Sequence, residues 1–225
     1  MKSFAIAACA AACLLEVVSG HYIFQQVGTG GSKGAVYDHV RKNTNHNSPV
    51  TDLNSKDLRC NVGGASGEST TNLPVTAGST VTYSSDTKVY HQGPVSFYMT
   101  KVSDAKTADG STKWFKIKDI GPSFAKSGGD WSATQQQSFP VTIPKCIPSG
   151  EYLLRIQQIG LHNPGGDPQF YVSCAQLTVS GGSGAAVPAG VSIPGAFSKS
   201  DPGYKVNIYN GFSSYTIPGP PVVKC

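Results

Sequence analysis

The sequence predicts an all-β chain in which two antiparallel sheets pack as an immunoglobulin- or fibronectin-like sandwich with long surface loops. Two observations lead there. Runs rich in β-branched and aromatic residues recur between clusters of Gly, Pro, Ser and Asn, the spacing of sandwich strands and turns. No segment carries a sustained apolar stripe of helical period with capping residues at its ends.

Taken in order, the chain opens with the three parts of a secretory signal: Lys2, an apolar run from Phe4 to Leu15, and the small-residue exit Val18-Ser19-Gly20. That run falls short of the ~20 residues a bilayer span needs, and no later run is long and apolar enough. The expectation is an extracellular, secreted protein without a membrane partner. Cleavage after Gly20 puts Val18 and Gly20 at the positions a signal peptidase reads, so His21 becomes the N-terminus.

Removing 20 of the 225 residues leaves 205, enough for one sizeable core, and residues 21 to 225 are read as a single domain and a monomer. Residues 27 to 72, rich in Gly, Asn, Ser and Asp, are expected to form long loops over the sandwich. Strands are expected over Ser79 to Ser84, Val95 to Val102, Trp114 to Ile120, Phe139 to Ile143, Glu151 to Ile159 and Gln169 to Val179. Ser180 to Ala189 has the composition of a flexible linker. Too little follows it for a second globular domain, so 180 to 225 is read as an extension strapped on by Cys225, without a separate carbohydrate-binding module.

Loss of the signal also removes Cys9 and Cys13. Cys60, Cys146, Cys174 and Cys225 remain, an even number that suggests two disulfides in an oxidising compartment, with three pairings open. No gap has the Cys-x-x-Cys form of a zinc site. The net charge of +5 includes no Lys/Arg run, so neither nucleic acid nor an anionic membrane is indicated. Serine hydrolases, zincins and nucleotide enzymes lack their Gly-x-Ser-x-Gly, His-Glu-x-x-His and phosphate-loop signatures, and no pair of acidic residues stands out for glycoside hydrolysis.

An N-terminal histidine chelates a metal through its α-amine and its ring together, and a second imidazole completes three nitrogens. The amine titrates near neutrality, at ~7.7–8.0, and a nitrogen-rich tetragonal site suits Cu(II). Among the other histidines, His39 and His46 sit in a polar loop and are assigned to the surface. His91 opens His91-Gln92-Gly93-Pro94, a turn leading into a strand, and is the best second ligand. In Gln169-Phe170-Tyr171-Val172-Ser173-Cys174, alternation puts Phe170, Val172 and Cys174 on one face and Gln169 and Tyr171 on the other. Tyr171 can then serve as a weak axial oxygen and Gln169 as a hydrogen-bond donor.

Together with Leu58-Arg59-Cys60-Asn61-Val62-Gly63-Gly64, Pro148-Ser149-Gly150-Glu151-Tyr152-Leu153-Leu154-Arg155, His162, Asp201-Pro202-Gly203-Tyr204 and Tyr215-Thr216-Ile217-Pro218-Gly219-Pro220, these residues run through the whole processed chain. In this order they resemble the fungal lytic polysaccharide monooxygenases of auxiliary activity family 9, formerly glycoside hydrolase family 61. The resemblance implies one copper ion held by His21, His91 and Tyr171, with His162 and Gln169 beside it toward a bound oxygen species. It also implies a Cys60–Cys174 disulfide, with Cys146–Cys225 inferred for the remaining two. Tyr204 and Tyr215 match tyrosines that stack on sugar rings of a flat polysaccharide face. The implied reaction cleaves cellulose or a related β-1,4-glucan at C1 and/or C4, using O2 or H2O2 and an external electron donor. A non-catalytic secreted sandwich that binds polysaccharide or copper is the alternative.

Overall fold

In the computed structural model, which describes residues 21–124, 129–163 and 166–225, alternating side chains build ten strands among the described residues. The expected signal segment, 1–20, lies outside them. In chain order the strands are β1 (Phe24–Thr29), β2 (Leu73–Thr76), β3 (Thr80–Ser85), β4 (Val95–Val102), β5 (Phe115–Ile120), β6 (Pro122–Ser123), β7 (Asp130–Trp131), β8 (Ser138–Thr142), β9 (Pro148–Gly160) and β10 (Gln169–Ser183). Sheet one has the order β1-β3-β8. Sheet two has the order β2-β10-β9-β4-β5, and β6 pairs with β7 in a short hairpin.

The two sheets enclose the main core, which includes Phe24, Tyr83, Phe97, Phe139, Ile156 and Leu177. A second buried cluster lies on the opposite face of sheet two. There Tyr98, Trp114, Leu153, Phe170 and Val172 pack against Leu53, Leu58, Ile193, Phe197 and Ile208 from the loops and the tail. Sheet two is thus covered on both sides. This is why β9 is buried without interruption from Tyr152 to Gly160, while β8 at the edge of sheet one alternates buried and exposed residues.

All the expected runs form strands, with ends shifted by a few residues. Four described strands, β1, β2, β6 and β7, lie outside the expected runs, and the end of β1 enters the stretch from residue 27 that was expected to be loop. β1 starts irregularly, with a register shift between Phe24 and Gln26 that blurs its alternation. β2 is four residues long with Pro74 inside it, tolerable because β2 is an edge strand; it pairs parallel with β10. The flexible linker expected from Ser180 is corrected as well. β10 continues through a register shift until Ser183 opposes Pro148, and the extension starts only beyond it.

The tail is tied to β5 by the Lys116–Val222 bridge, and to the body by a Trp114–Val191 bridge and the Cys146–Cys225 disulfide. The long loop before β2 reaches β10 through the Val40–Ala175 and Val50–Phe170 bridges and the Cys60–Cys174 disulfide. Two buried arginines hold these covers in place. Arg41 donates to Gly64 O at 2.8 Å and Ala105 O at 2.6 Å. Arg155 donates to Leu58 O at 2.8 Å and lies 5.2 Å from the centre of the Tyr98 ring. Burial lowers both guanidinium groups to about 10, so they stay charged at neutral pH.

Candidate metal centre

One end of the sandwich gathers the start of β1, the turn before β4, the end of β9 and the start of β10. His21, three residues before β1, brings its ring within 5.6 Å of His91 and 5.8 Å of Tyr171, centre to centre. His91 and Tyr171 are 5.4 Å apart, so the three rings surround one common space. His162 stacks on His91 at 3.8 Å with 13° between the planes. Gln169 accepts a 2.8 Å hydrogen bond from Tyr171 Oη. The residues singled out as His21, His91, Tyr171, His162 and Gln169 therefore meet in one place. His39 bonds to Thr71 and His46 is exposed, each on the long loop before β2.

The turn carrying His91 is held from three directions. Leu161 N–H donates to Gln92 O at 2.9 Å and Ile159 N–H donates to Pro94 O at 3.1 Å. At Gly93, with φ of +147°, a Cβ would lie 1.8 Å from Ile159 O, so no larger residue fits this close approach of turn and strand. Beneath the turn, Gln158 donates to His91 O at 3.1 Å and accepts from Tyr22 Oη at 2.5 Å. Sequence reasoning missed Gln158 and Tyr22. The available signal was a polar amide near the end of an otherwise apolar central strand.

Electrostatics keep the site's donors available. Burial, followed by His162 and then His21, pushes His91 down to about 4, so its ring is neutral across the physiological range. His162 is lowered by burial and by His21. Burial raises Tyr171, which keeps it a phenol that donates to Gln169. Nε2 of His91 and Nδ1 of His162 are buried and have no hydrogen-bond partner among the described residues. A buried imidazole nitrogen without a partner is costly unless something ligates or protonates it.

Three aromatic side chains are exposed among the described residues, Tyr90 at 38%, Phe124 at 42% and Tyr209 at 61%, and Tyr90 and Tyr209 adjoin the site. Tyr90 precedes His91, Phe124 lies on the hairpin that leaves the end of β5, and Tyr209 donates to His162 O at 3.0 Å. Tyr204 and Tyr215 are half-buried, and both hydroxyls are buried without partners. Tyr215 packs edge-on against Trp131 at 5.0 Å, and Phe212 fits against both Trp131 and Phe124. Gly129 makes room for Phe212: with φ of +71°, its Cβ would approach the Phe212 ring to 2.7 Å. Tyr215 thus anchors the tail, while Tyr209 is the ring the tail presents.

Fold and site together define a class of protein: an antiparallel sandwich with a paired-histidine centre on an end rimmed by exposed aromatic rings. The sequence profile of Auxiliary Activity family 9 (formerly GH61) matches residues 21–216. The AA9 family lytic polysaccharide monooxygenase E of Podospora anserina is 57% identical over 211 residues, covering 92% of this chain and 70% of its own length. The crystal structure of HiLPMO9B superposes with a TM-score of 0.79 at 34% identity, covering 90% of this chain and 99% of that one. A cellulose-active polysaccharide monooxygenase from M. thermophila gives a TM-score of 0.76 at 30% identity, over 91% of this chain and 99% of its own.

The chain belongs to auxiliary activity family 9. It is an oxidoreductase, and its function is that of the family, the copper-dependent oxidative cleavage of polysaccharides.

Replacing Gln158 with Leu strands the Tyr22 hydroxyl and is expected to cost about 2–3 kcal/mol in urea denaturation. The double variant Tyr22→Phe/Gln158→Leu removes both partners and should recover part of that loss. A double variant less stable than Gln158→Leu alone would contradict this coupling.

Proposed function

We propose that His21 and His91 would hold one copper ion through their two rings and the main-chain nitrogen of His21, with the Tyr171 hydroxyl as a further, weak oxygen donor. The carrying observation is the convergence of the three rings around the buried, unpartnered Nε2 of His91. Among the described residues no three His, Cys, Asp or Glu side chains form a metal-binding group. The third nitrogen must then come from the backbone, and removal of residues 1–20 would free it as an α-amine. The donor set fits copper, since neutral imidazoles and an amine suit it better than they suit a hard cation.

When bound, copper supplies a centre that an external electron donor reduces and that turns O2 or H2O2 into an oxidant of sugar C–H bonds at C1 and/or C4. The residues around it act by position and proton supply. Gln169 engages Tyr171 through Oε1, which leaves its amide N–H groups to donate toward the oxygen co-substrate. His162 has a neutral ring with Nδ1 buried, so proton exchange falls to Nε2. Tyr22 and Gln158 fix the His91 backbone and limit movement of the ring. Tyr209, Tyr90 and Phe124 offer apolar ring faces on which a glucan chain can stack, each worth ~0.5–1.5 kcal/mol beyond area burial.

The substrate is cellulose or a related β-1,4-glucan, a reading supported by the cellulose-active relative and by the rim of rings. The chain acts as a secreted, extracellular monomer organised as a single catalytic domain over 21–225. Its two disulfides suit an oxidising compartment.

Mass spectrometry of soluble products from cellulose, ascorbate and the copper-loaded chain should detect aldonic acids, 4-keto sugars or both, and none from the metal-free chain. Unmodified cello-oligosaccharides alone, or no products with copper bound, would overturn the proposal. Tyr209→Ala is expected to weaken adsorption to cellulose by about 2- to 10-fold with little change in melting temperature. Tyr215→Ala should instead lower the melting temperature first. Adsorption isotherms that respond to Tyr215 and ignore Tyr209 would reverse these assignments.

A further inference from the structure

Resting, for its effect on binding, on the role given to Tyr209 above, we propose that Asn210–Gly211 is a self-modifying site, where deamidation to isoaspartate releases Tyr209 and weakens the hold on polysaccharide. Asn210 is the one asparagine of the sequence followed by glycine. It ends a turn closed by its own N–H on Asn207 O at 3.3 Å, and both Asn210 and Gly211 are exposed.

The reaction needs the backbone and water. The Gly211 nitrogen, giving up its proton to solvent, attacks Cγ of Asn210; a C–N bond forms, the bond to the side-chain nitrogen breaks and ammonia leaves. Water then opens the cyclic imide at either carbonyl, giving aspartate or isoaspartate, and nothing is oxidised or reduced. The local structure leaves this attack unhindered. Gly211 has φ of +66° and a Cβ there would meet nothing within 4 Å, so no neighbour shields its nitrogen. Among the described residues neither the Gly211 N–H nor the Asn210 side chain makes a hydrogen bond. Other asparagines are held or blocked. Asn54 is exposed, but the N–H of the following Ser55 is bonded to Asp52 O at 3.1 Å. Asn207 accepts from Tyr209 N–H at 3.0 Å, and Asn61 donates its amide to Val172 O at 3.1 Å.

The position gives the modification its effect. Tyr209 is fixed by its 3.0 Å hydrogen bond to His162 O, and Phe212 by Trp131 and Phe124, with ring centres 5.7 and 5.6 Å away. Only Asn210 and Gly211 lie between these two anchors. Isoaspartate routes the main chain through Cβ, adding one carbon, about 1.5 Å, together with a negative charge. In a span pinned at both ends the weaker anchor yields, and that is the single exposed hydrogen bond of Tyr209 rather than the packed ring of Phe212. Aspartate adds the charge and leaves the length unchanged.

The test stores the copper-loaded chain without reductant at mildly alkaline and mildly acidic pH, beside Asn210→Gln and Asn210→Asp. Peptide mass spectrometry with isoaspartyl methyltransferase labelling is expected to find isoaspartate at 210 ahead of any change at Asn54. It should form faster at alkaline pH, where the Gly211 nitrogen loses its proton more readily. As it accumulates, hydrogen exchange around Tyr209 rises and adsorption to cellulose weakens by about 2- to 10-fold. Stored Asn210→Gln keeps both at their fresh values, and Asn210→Asp departs from them less than the stored wild type. An Asn210 no more modified than Asn54 after alkaline storage overturns the site. Isoaspartate at 210 with unchanged hydrogen exchange overturns the release of Tyr209. A fresh chain that fails to adsorb to cellulose, yet shows the modification and the faster exchange, overturns the polysaccharide role of Tyr209 and supports the modification site.

Discussion

Strands β9 and β10 bury side chains on both faces, and covering the second face is the constraint from which the rest of the architecture follows. Sheet one covers one side. Nothing in the strand order supplies a third layer, so irregular chain must do it: the long loop before β2 and the tail after β10. Irregular chain brings unpaired backbone carbonyls against a buried sheet, and these need donors. Arg41 and Arg155 supply them, each bonding to two backbone carbonyl oxygens. The disulfides Cys60–Cys174 and Cys146–Cys225 tie one cover each to the body.

The same covering builds the functional end of the molecule. Because the tail must cross Phe170 and Trp114, its remaining length passes the site, where Tyr209 reaches His162 and Phe212 locks onto the hairpin after β5. Beneath the candidate metal centre, burial does two things at once. It removes water from His91, which keeps the ring a free base, and it forces Gln158 and Tyr22 into mutual satisfaction, which holds the turn still.

Much of this was legible from side-chain periodicity. Gln169 to Cys174 alternates, and its two faces do separate the ring near the histidines from the cysteine under the loops. Both faces are buried, a feature that alternation alone does not reveal, since one-dimensional periodicity cannot count layers. Ser180 to Ser183 looked like a linker because its glycines and serines carry no apolar pattern, although it still pairs with β9. Tyr204 and Tyr215 stood out by motif, but their exposure depends on where Trp131 and Phe170 lie. Tyr209 had no local mark at all: its display follows from a hydrogen bond to a residue 47 positions away.

The central claim is that the backbone nitrogen of His21 is the third ligand, which ties the chemistry to removal of the first twenty residues. Electron paramagnetic resonance of the Cu(II)-loaded chain tests it, comparing a chain that begins at His21 with one bearing a single extra alanine before it. The account predicts a tetragonal spectrum with hyperfine coupling to three nitrogens for the first, and loss of that spectrum with much weaker copper binding for the second. Identical spectra and affinities from the two chains would contradict it.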